Sequence, residues 1–105
     1  MIYKVYWTET FKNEFKELPK FEQERVQKFI HNQLITNPNV GKPLSVYNIR
    51  EKKFNGRRIY YIVYEDKVIV LMVAISGKKD QQSTINLIKT QLPYFMRLVD
   101  DLSKK

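Results

Sequence analysis

Residues Ile49–Lys79 read Ile-Arg-Glu-Lys-Lys-Phe-Asn-Gly-Arg-Arg-Ile-Tyr-Tyr-Ile-Val-Tyr-Glu-Asp-Lys-Val-Ile-Val-Leu-Met-Val-Ala-Ile-Ser-Gly-Lys-Lys, and this stretch decides the fold. β-Branched and aromatic residues dominate it, which favours strands. Asn55-Gly56 divides two such runs, and both residue types tolerate the positive φ of a tight hairpin. Glu65-Asp66-Lys67 marks a second turn. The pattern predicts strands over Leu44–Lys53, Arg57–Tyr64 and Val68–Ser76. Val68–Ile75 has no polar alternation, so it is expected to be the most buried strand.

Cations crowd one end of this predicted sheet: Arg50, Lys52, Lys53, Arg57, Arg58, Lys78 and Lys79. Like charges repel unless an anion is expected among them. Strand alternation puts Arg58, Tyr60, Ile62 and Tyr64 on one face and Arg57, Ile59, Tyr61 and Val63 on the other. Arg50 and Lys52 share a face, and the hairpin is expected to fold them onto Arg58, with Lys78 and Lys79 at the border. Such a patch suits a phosphate backbone, with Lys53, Arg57 and Lys78 as further contacts and Tyr60 available to stack on a base. The structural alternative is a solvated, charged face that discourages edge-to-edge pairing. Glu51 alternates away from Arg50 and Lys52 and is expected to pair with neighbouring cations.

Upstream, Ile2–Trp7 reads as a strand. Thr8 or Thr10 can cap a helix with Phe11, Phe15 and Leu18 on one face, ended by Pro19. A second helix is predicted over Phe21–Thr36, with Val26, Phe29, Ile30 and Leu34 inward. The short link makes the pair an antiparallel hairpin. Asn37-Pro38-Asn39 and Gly41-Lys42-Pro43 form a loop. Helical periodicity returns over about 83–102, where Pro93 kinks or splits the segment. The order β-α-α-β-β-β-α implies an α+β fold: a helical hairpin on a small, mainly antiparallel, four-stranded twisted sheet.

The length of 105 residues is that of a single domain, 1–105. The absence of cysteine excludes disulfides and Cys-based zinc sites. The longest apolar run is too short to span a bilayer, and the first residues lack signal-peptide features, so a cytoplasmic protein without membrane partners is the expectation. A net charge of +8 favours nucleic acid or an acidic protein as partner. Acid–base machinery is sparse. His31 lies mid-helix, far from the cations, and reads as a surface or packing residue. Ser76 has neither a histidine base nor a nucleophile-elbow pattern. Glu65-Asp66 and Asp100-Asp101 read as solvated surface rather than metal ligands.

The helical hairpin, the Asn-Pro loop, Ile49-Arg50-Glu51-Lys52, Gly56-Arg57-Arg58-Ile59-Tyr60-Tyr61 and Gly77-Lys78-Lys79 together resemble the RelE/ParE superfamily of toxins from type II toxin–antitoxin modules. The likeness runs from Tyr3 to about Ile88, and Lys78-Lys79-Asp80-Gln81-Gln82 also resembles the HigB-like branch. The resemblance implies a RelE-like fold, a cognate antitoxin that silences the protein, and ribosome-dependent cleavage of mRNA without a cofactor. It assigns Arg58 to the phosphate, and Arg50, Lys52 and Lys79 to the remaining catalytic cations. Asn48 and Ile85 stand where the RelE pattern has a lysine and a tyrosine.

The implied reaction is metal-independent: the ribose 2′-hydroxyl attacks the adjacent phosphate, giving 2′,3′-cyclic phosphate and 5′-hydroxyl ends. A lysine crowded by cations deprotonates more readily, and Lys52 is the expected general base. Arg58→Ala is expected to abolish toxicity with the fold intact. The alternatives are a ParE-like inhibitor of DNA gyrase and a non-catalytic RNA-binding remnant. Pro93–Leu102, with Tyr94, Phe95, Met96 and Leu98, reads either as a core-capping helix or as a segment that the antitoxin rearranges.

Overall fold

A computed structural model describes residues 1–44 and 47–104. Strands are β1 (Lys4–Trp7), β2 (Lys42–Pro43), β3 (Ile49–Phe54), β4 (Arg57–Tyr64) and β5 (Ile69–Gly77). Helices are α1 (Glu9–Lys16), α2 (Lys20–Phe29), α3 (Gln81–Thr90) and α4 (Leu92–Ser103). The strands form one five-stranded sheet in the order β1-β5-β4-β3-β2. The fifth strand is β2, where Lys42 and Pro43 pair antiparallel with Glu51 and Arg50 in a segment read from sequence as loop. The predicted strand over Leu44–Lys53 begins only at Ile49, and Ser45 and Val46 lie outside the described residues. All pairings are antiparallel except β1 with β5.

Asn55 and Gly56 take φ of 45° and 82°, the left-handed geometry expected of the β3–β4 hairpin. Thr8 caps α1 by accepting the Phe11 N–H at 3.1 Å. The second helix is regular only to Phe29, and Ile30–Leu34 widen into a π turn, with Ile35 N–H bonding the Ile30 carbonyl. Pro93 splits the last helical segment, sitting in the first turn of α4.

Helices cover both faces of the sheet. Phe11, Leu18, Val26, Phe29, Ile30 and Leu34 pack with Ile59, Tyr61, Val63, Val70 and Met72. On the other face, Ile85, Ile88, Phe95 and Val99 pack with Ile49, Tyr60, Ile62, Tyr64, Ile69 and Leu71. This is why β5 lacks polar alternation: Ile69–Ser76 are all buried.

β5 carries a bulge. Tyr60 pairs with Ala74 but Tyr61 with Met72, so Val73 is the extra residue. The bulge shifts the side-chain phase and brings Ser76 opposite Arg58, on the α3 side of the sheet. Past the end of β1, α1 takes over the outer edge of β5. Thr8 Oγ1 donates to the Val73 carbonyl at 3.4 Å, and a Glu14 carboxylate oxygen accepts the Ile75 N–H at 2.9 Å.

Candidate functional site

The β3–β4 ladder runs unbroken from Ile49–Ile62 to Phe54–Arg57. Directly opposed residues share a face, so Glu51 and Lys53 lie with Tyr60 and Arg58 on the α3 side. Arg50 and Lys52 oppose Tyr61 and Ile59 on the other side, facing α1 and α2. The expected convergence of Arg50, Lys52 and Arg58 therefore does not form. The period of two that joins Arg50 to Lys52 also separates both from Arg58 once Lys53, not Lys52, pairs with it.

Each displaced cation has its own local partner. The Arg50 Nη1 donates to the carbonyls of Asn39, at 3.1 Å, and Gly41, at 2.6 Å, pinning the loop before β2. Tyr61 helps hold that loop, donating to the Pro38 carbonyl and accepting the Gly41 N–H. Lys52 Nζ lies 5.6 Å from the Phe29 ring centroid and 6.0 Å from that of Phe54, within cation–π range. Arg57, on the same side, donates to Glu22 at 2.9 Å.

On the α3 side, Arg58 is almost wholly buried at 7 % exposure beside Glu51 at 2 %. Its Nε lies 3.1 Å from Glu51 Oε1, an ionic contact without the alignment of a hydrogen bond. Gln81, the first residue of α3, donates to the same Oε1 at 2.7 Å. Glu51 Oε2 is buried with no hydrogen-bond partner among the described residues. The Ser76 hydroxyl donates to the Gly77 carbonyl at 3.0 Å, which leaves the Tyr60 hydroxyl as donor to Ser76 at 2.8 Å. Burial pushes the Tyr60 phenol above its usual range, partly offset by that bond. Tyr60 is 0 % exposed, so the expectation that its ring stacks on a base is not met.

Lys53, Lys78 and Lys79 complete the site and are exposed. Lys53 opposes Arg58 across the ladder, while Lys78 and Lys79 form the turn between β5 and α3. None of the three enters an ion pair among the described residues. The site thus combines one buried, neutralised guanidinium with exposed lysines on the neighbouring strand and the turn after β5. Glu51 and Gln81 were not among the expected site residues. The legible signal for Glu51 was a lone acid inside a run of cations; Gln81 had none. A groove of about 530 Å³ toward the other end of β4 is lined by Ile62, Leu92, Met96, Glu65 and Asp66, a chemistry opposite to that of an anion site.

Residues 5–81 match the family model described as ParE toxin of type II toxin–antitoxin system, parDE. The chain belongs to the ParE toxin family. It is a type II toxin of the RelE/ParE superfamily, as the motifs of the hairpin implied. No curated protein matches it in sequence. Among solved structures the toxin is similar to an Escherichia coli RelE toxin variant in the free state, with a TM-score of 0.73 and 19 % identity over 88 % of this chain and 100 % of that one. It is also similar to a chain of the Mycobacterium tuberculosis RelBE2 toxin–antitoxin complex, with a TM-score of 0.66 and 22 % identity over 74 % and 100 %. The archaeal RelE–RelB complex from Pyrococcus horikoshii gives a TM-score of 0.56 and 16 % identity over 74 % and 97 %. These likenesses establish a RelE-like fold for the toxin. Of its two departures from the RelE pattern, Ile85 is buried in the core against the sheet. Asn48 holds a φ of 61°, a left-handed position that asparagine tolerates better than lysine.

Proposed function

We propose that this toxin is a ribosome-dependent, metal-independent mRNA endoribonuclease of the cytoplasm, neutralised by a cognate antitoxin. The observation that supports it is the exposed Lys53–Lys78–Lys79 rim around Arg58. A cationic rim with a guanidinium beneath it is what a phosphodiester approaching its transition state needs. In this reading Lys53 replaces Lys52 as the amine that takes the 2′-hydroxyl proton, because Lys53 is the lysine that faces Arg58. The 2′-oxygen attacks phosphorus, the bond to the 5′-oxygen breaks, and that oxygen takes a proton from solvent and leaves as a hydroxyl. Arg58 and Lys79 stabilise the charge on the phosphate oxygens, at about 3 kcal/mol per well-placed donor. Lys78 holds the flanking backbone, whereas Arg50, Lys52, Arg57 and Tyr60 support the fold behind the site.

The test is a map of 5′-hydroxyl RNA ends after a short pulse of expression. The wild-type toxin is expected to produce new ends in phase with codons. Lys53→Ala/Lys79→Ala removes exposed side chains, keeps the fold, and is expected to lose those ends. Growth arrest without new ends overturns the proposal. The second reading, a protein-directed ParE-type inhibitor of gyrase, is favoured by the closed Glu51–Arg58 pair and the deep burial of Tyr60. Double-strand DNA breaks without RNA ends are its expected signature.

A further inference from the structure

Arg58 already has an anion. Glu51 Oε1 sits 3.1 Å from its Nε, both side chains are more than nine-tenths buried, and Gln81 holds the carboxylate from the start of α3. Stability alone gives little reason for this pair, since a buried ion pair is often no better than well-packed apolar residues. The geometry is not that of a finished structural bridge either. Among the described residues, Arg58 Nε lacks a well-aligned acceptor and Glu51 Oε2 is buried without a donor. A buried carboxylate oxygen without a donor keeps its desolvation penalty unrelieved, so the closed arrangement is under tension. Lys53, opposite Arg58, and the Lys78–Lys79 turn supply positive charge that enters no ion pair among the described residues.

We infer that Glu51 is a positioning residue that occupies the Nε edge of Arg58 in the free toxin, so that a phosphodiester engages the whole guanidinium only by displacing the carboxylate. The inference rests on the RNA reading above and adds an internal competitor to it. Gln81 is the clasp: it is bonded to Glu51 and lies two residues beyond Lys79, so an anion drawn to the turn pulls on the segment that holds the carboxylate. In the closed state the binding-competent fraction is small, and apparent affinity is reduced by that fraction.

The experiment measures binding of a single-stranded 2′-O-methyl RNA oligonucleotide, whose blocked 2′-oxygen prevents cleavage, by fluorescence anisotropy over a range of salt. Wild type, Glu51→Gln and Glu51→Gln/Arg58→Ala are compared, with thermal melts to show that each is folded. Glu51→Gln keeps the shape of the side chain and removes its charge. It is expected to bind about tenfold more tightly than wild type. Its plot of log affinity against log salt is expected to steepen by roughly 0.7, one more phosphate contact on a single strand. Both gains should vanish in the double variant. A purely structural bridge predicts no more tightening and no steeper slope than one added unit of net charge gives elsewhere, as read from Glu9→Gln at an exposed site.

Equal binding by wild type and Glu51→Gln overturns the inference and leaves the RNA reading standing. Absence of binding by both overturns the inference, whereas the RNA reading stands or falls on its own map of 5′-hydroxyl ends. Tightening that survives loss of Arg58 also overturns the inference. Should Glu51→Gln fail to fold, the wild-type toxin is titrated with the same oligonucleotide and followed by NMR. The Arg58 Nε–H and Glu51 side-chain carboxyl resonances should then move along one isotherm; movement of Arg58 alone, or of neither, overturns the proposal.

Discussion

The Glu51–Arg58 pair gives Arg58 a structural role beside the one proposed for it. The sequence-based expectation that Arg58→Ala spares the fold does not suit a guanidinium that neutralises a carboxylate at 2 % exposure. Removing it strands a buried charge, and the loss is expected to be about 3–5 kcal/mol. Urea denaturation checks this, and Glu51→Gln/Arg58→Ala should recover most of that loss. Gly41 poses a similar problem of space. A Cβ there would sit 2.5 Å from the Tyr61 hydroxyl and 2.9 Å from the Glu51 carbonyl oxygen. Gly41→Ala is therefore expected to push the loop off Tyr61 and lower stability by about 1–3 kcal/mol, visible in the same assay. The crowding explains why a flexible residue stands where Arg50 and Tyr61 gather the chain.

At the scale of elements, α1 does the work of a missing strand along the outer edge of β5. Glu14 caps the Ile75 N–H, and burial raises its carboxyl above the ordinary value of 4.5, partly offset by that hydrogen bond. A folded pKa above the unfolded one means the folded chain holds the proton longer. The Glu14 contribution to stability therefore falls as pH rises above about 4.5 through the raised value. Glu14→Gln keeps an acceptor without a charge and is expected to be at least as stable as wild type at pH 7, whereas Glu14→Ala orphans the amide and costs about 1–3 kcal/mol. Thermal melts of the two variants separate these effects. At the other end of β5, Val68 holds φ 56° and ψ 42°, a left-handed geometry that a β-branched residue resists. Val68→Gly is expected to raise the melting temperature, because relief of about 1–2 kcal/mol of backbone strain outweighs the loss of a half-buried side chain.

Across the whole molecule, a sheet covered on both faces buries tyrosines as well as aliphatics. Burial raises the phenols of Tyr60, Tyr61 and Tyr64, the last from 10.0 to about 12 with help from the nearby Asp100 charge. The folded chain therefore keeps protons that the unfolded chain releases above pH 10, and stability is expected to drop as pH rises from there toward 12. An alkaline titration followed by tyrosinate absorbance and near-ultraviolet circular dichroism checks this. Fewer than the full seven tyrosines should ionise before tertiary structure is lost.

Much of the fold was legible because it is written in local chemistry. Asn55-Gly56 made the hairpin, Thr8 capped α1, Pro93 split the last helical segment, and the apolar run of β5 announced a strand buried on both sides. These features depend on φ preferences, capping and periodicity, which neighbouring residues settle among themselves. The charge and the hairpin motifs were equally readable, and they carried the family. The partners of the cations were not. Whether Arg58 meets Lys52 or Lys53 turns on a one-residue choice of register, and a single step moves every side chain to the other face. Whether Ser76 joins Tyr60 and Arg58 turns on the bulge at Val73, inside a run too uniformly apolar to reveal its phase. Composition, turn chemistry and the hairpin motifs were enough to identify a basic RelE-like toxin with its charge at one end of a sheet. That the anion beside Arg58 is the protein's own Glu51 emerged with the folded sheet, because pairing across strands depends on register, and register is set by the packing of the whole sheet.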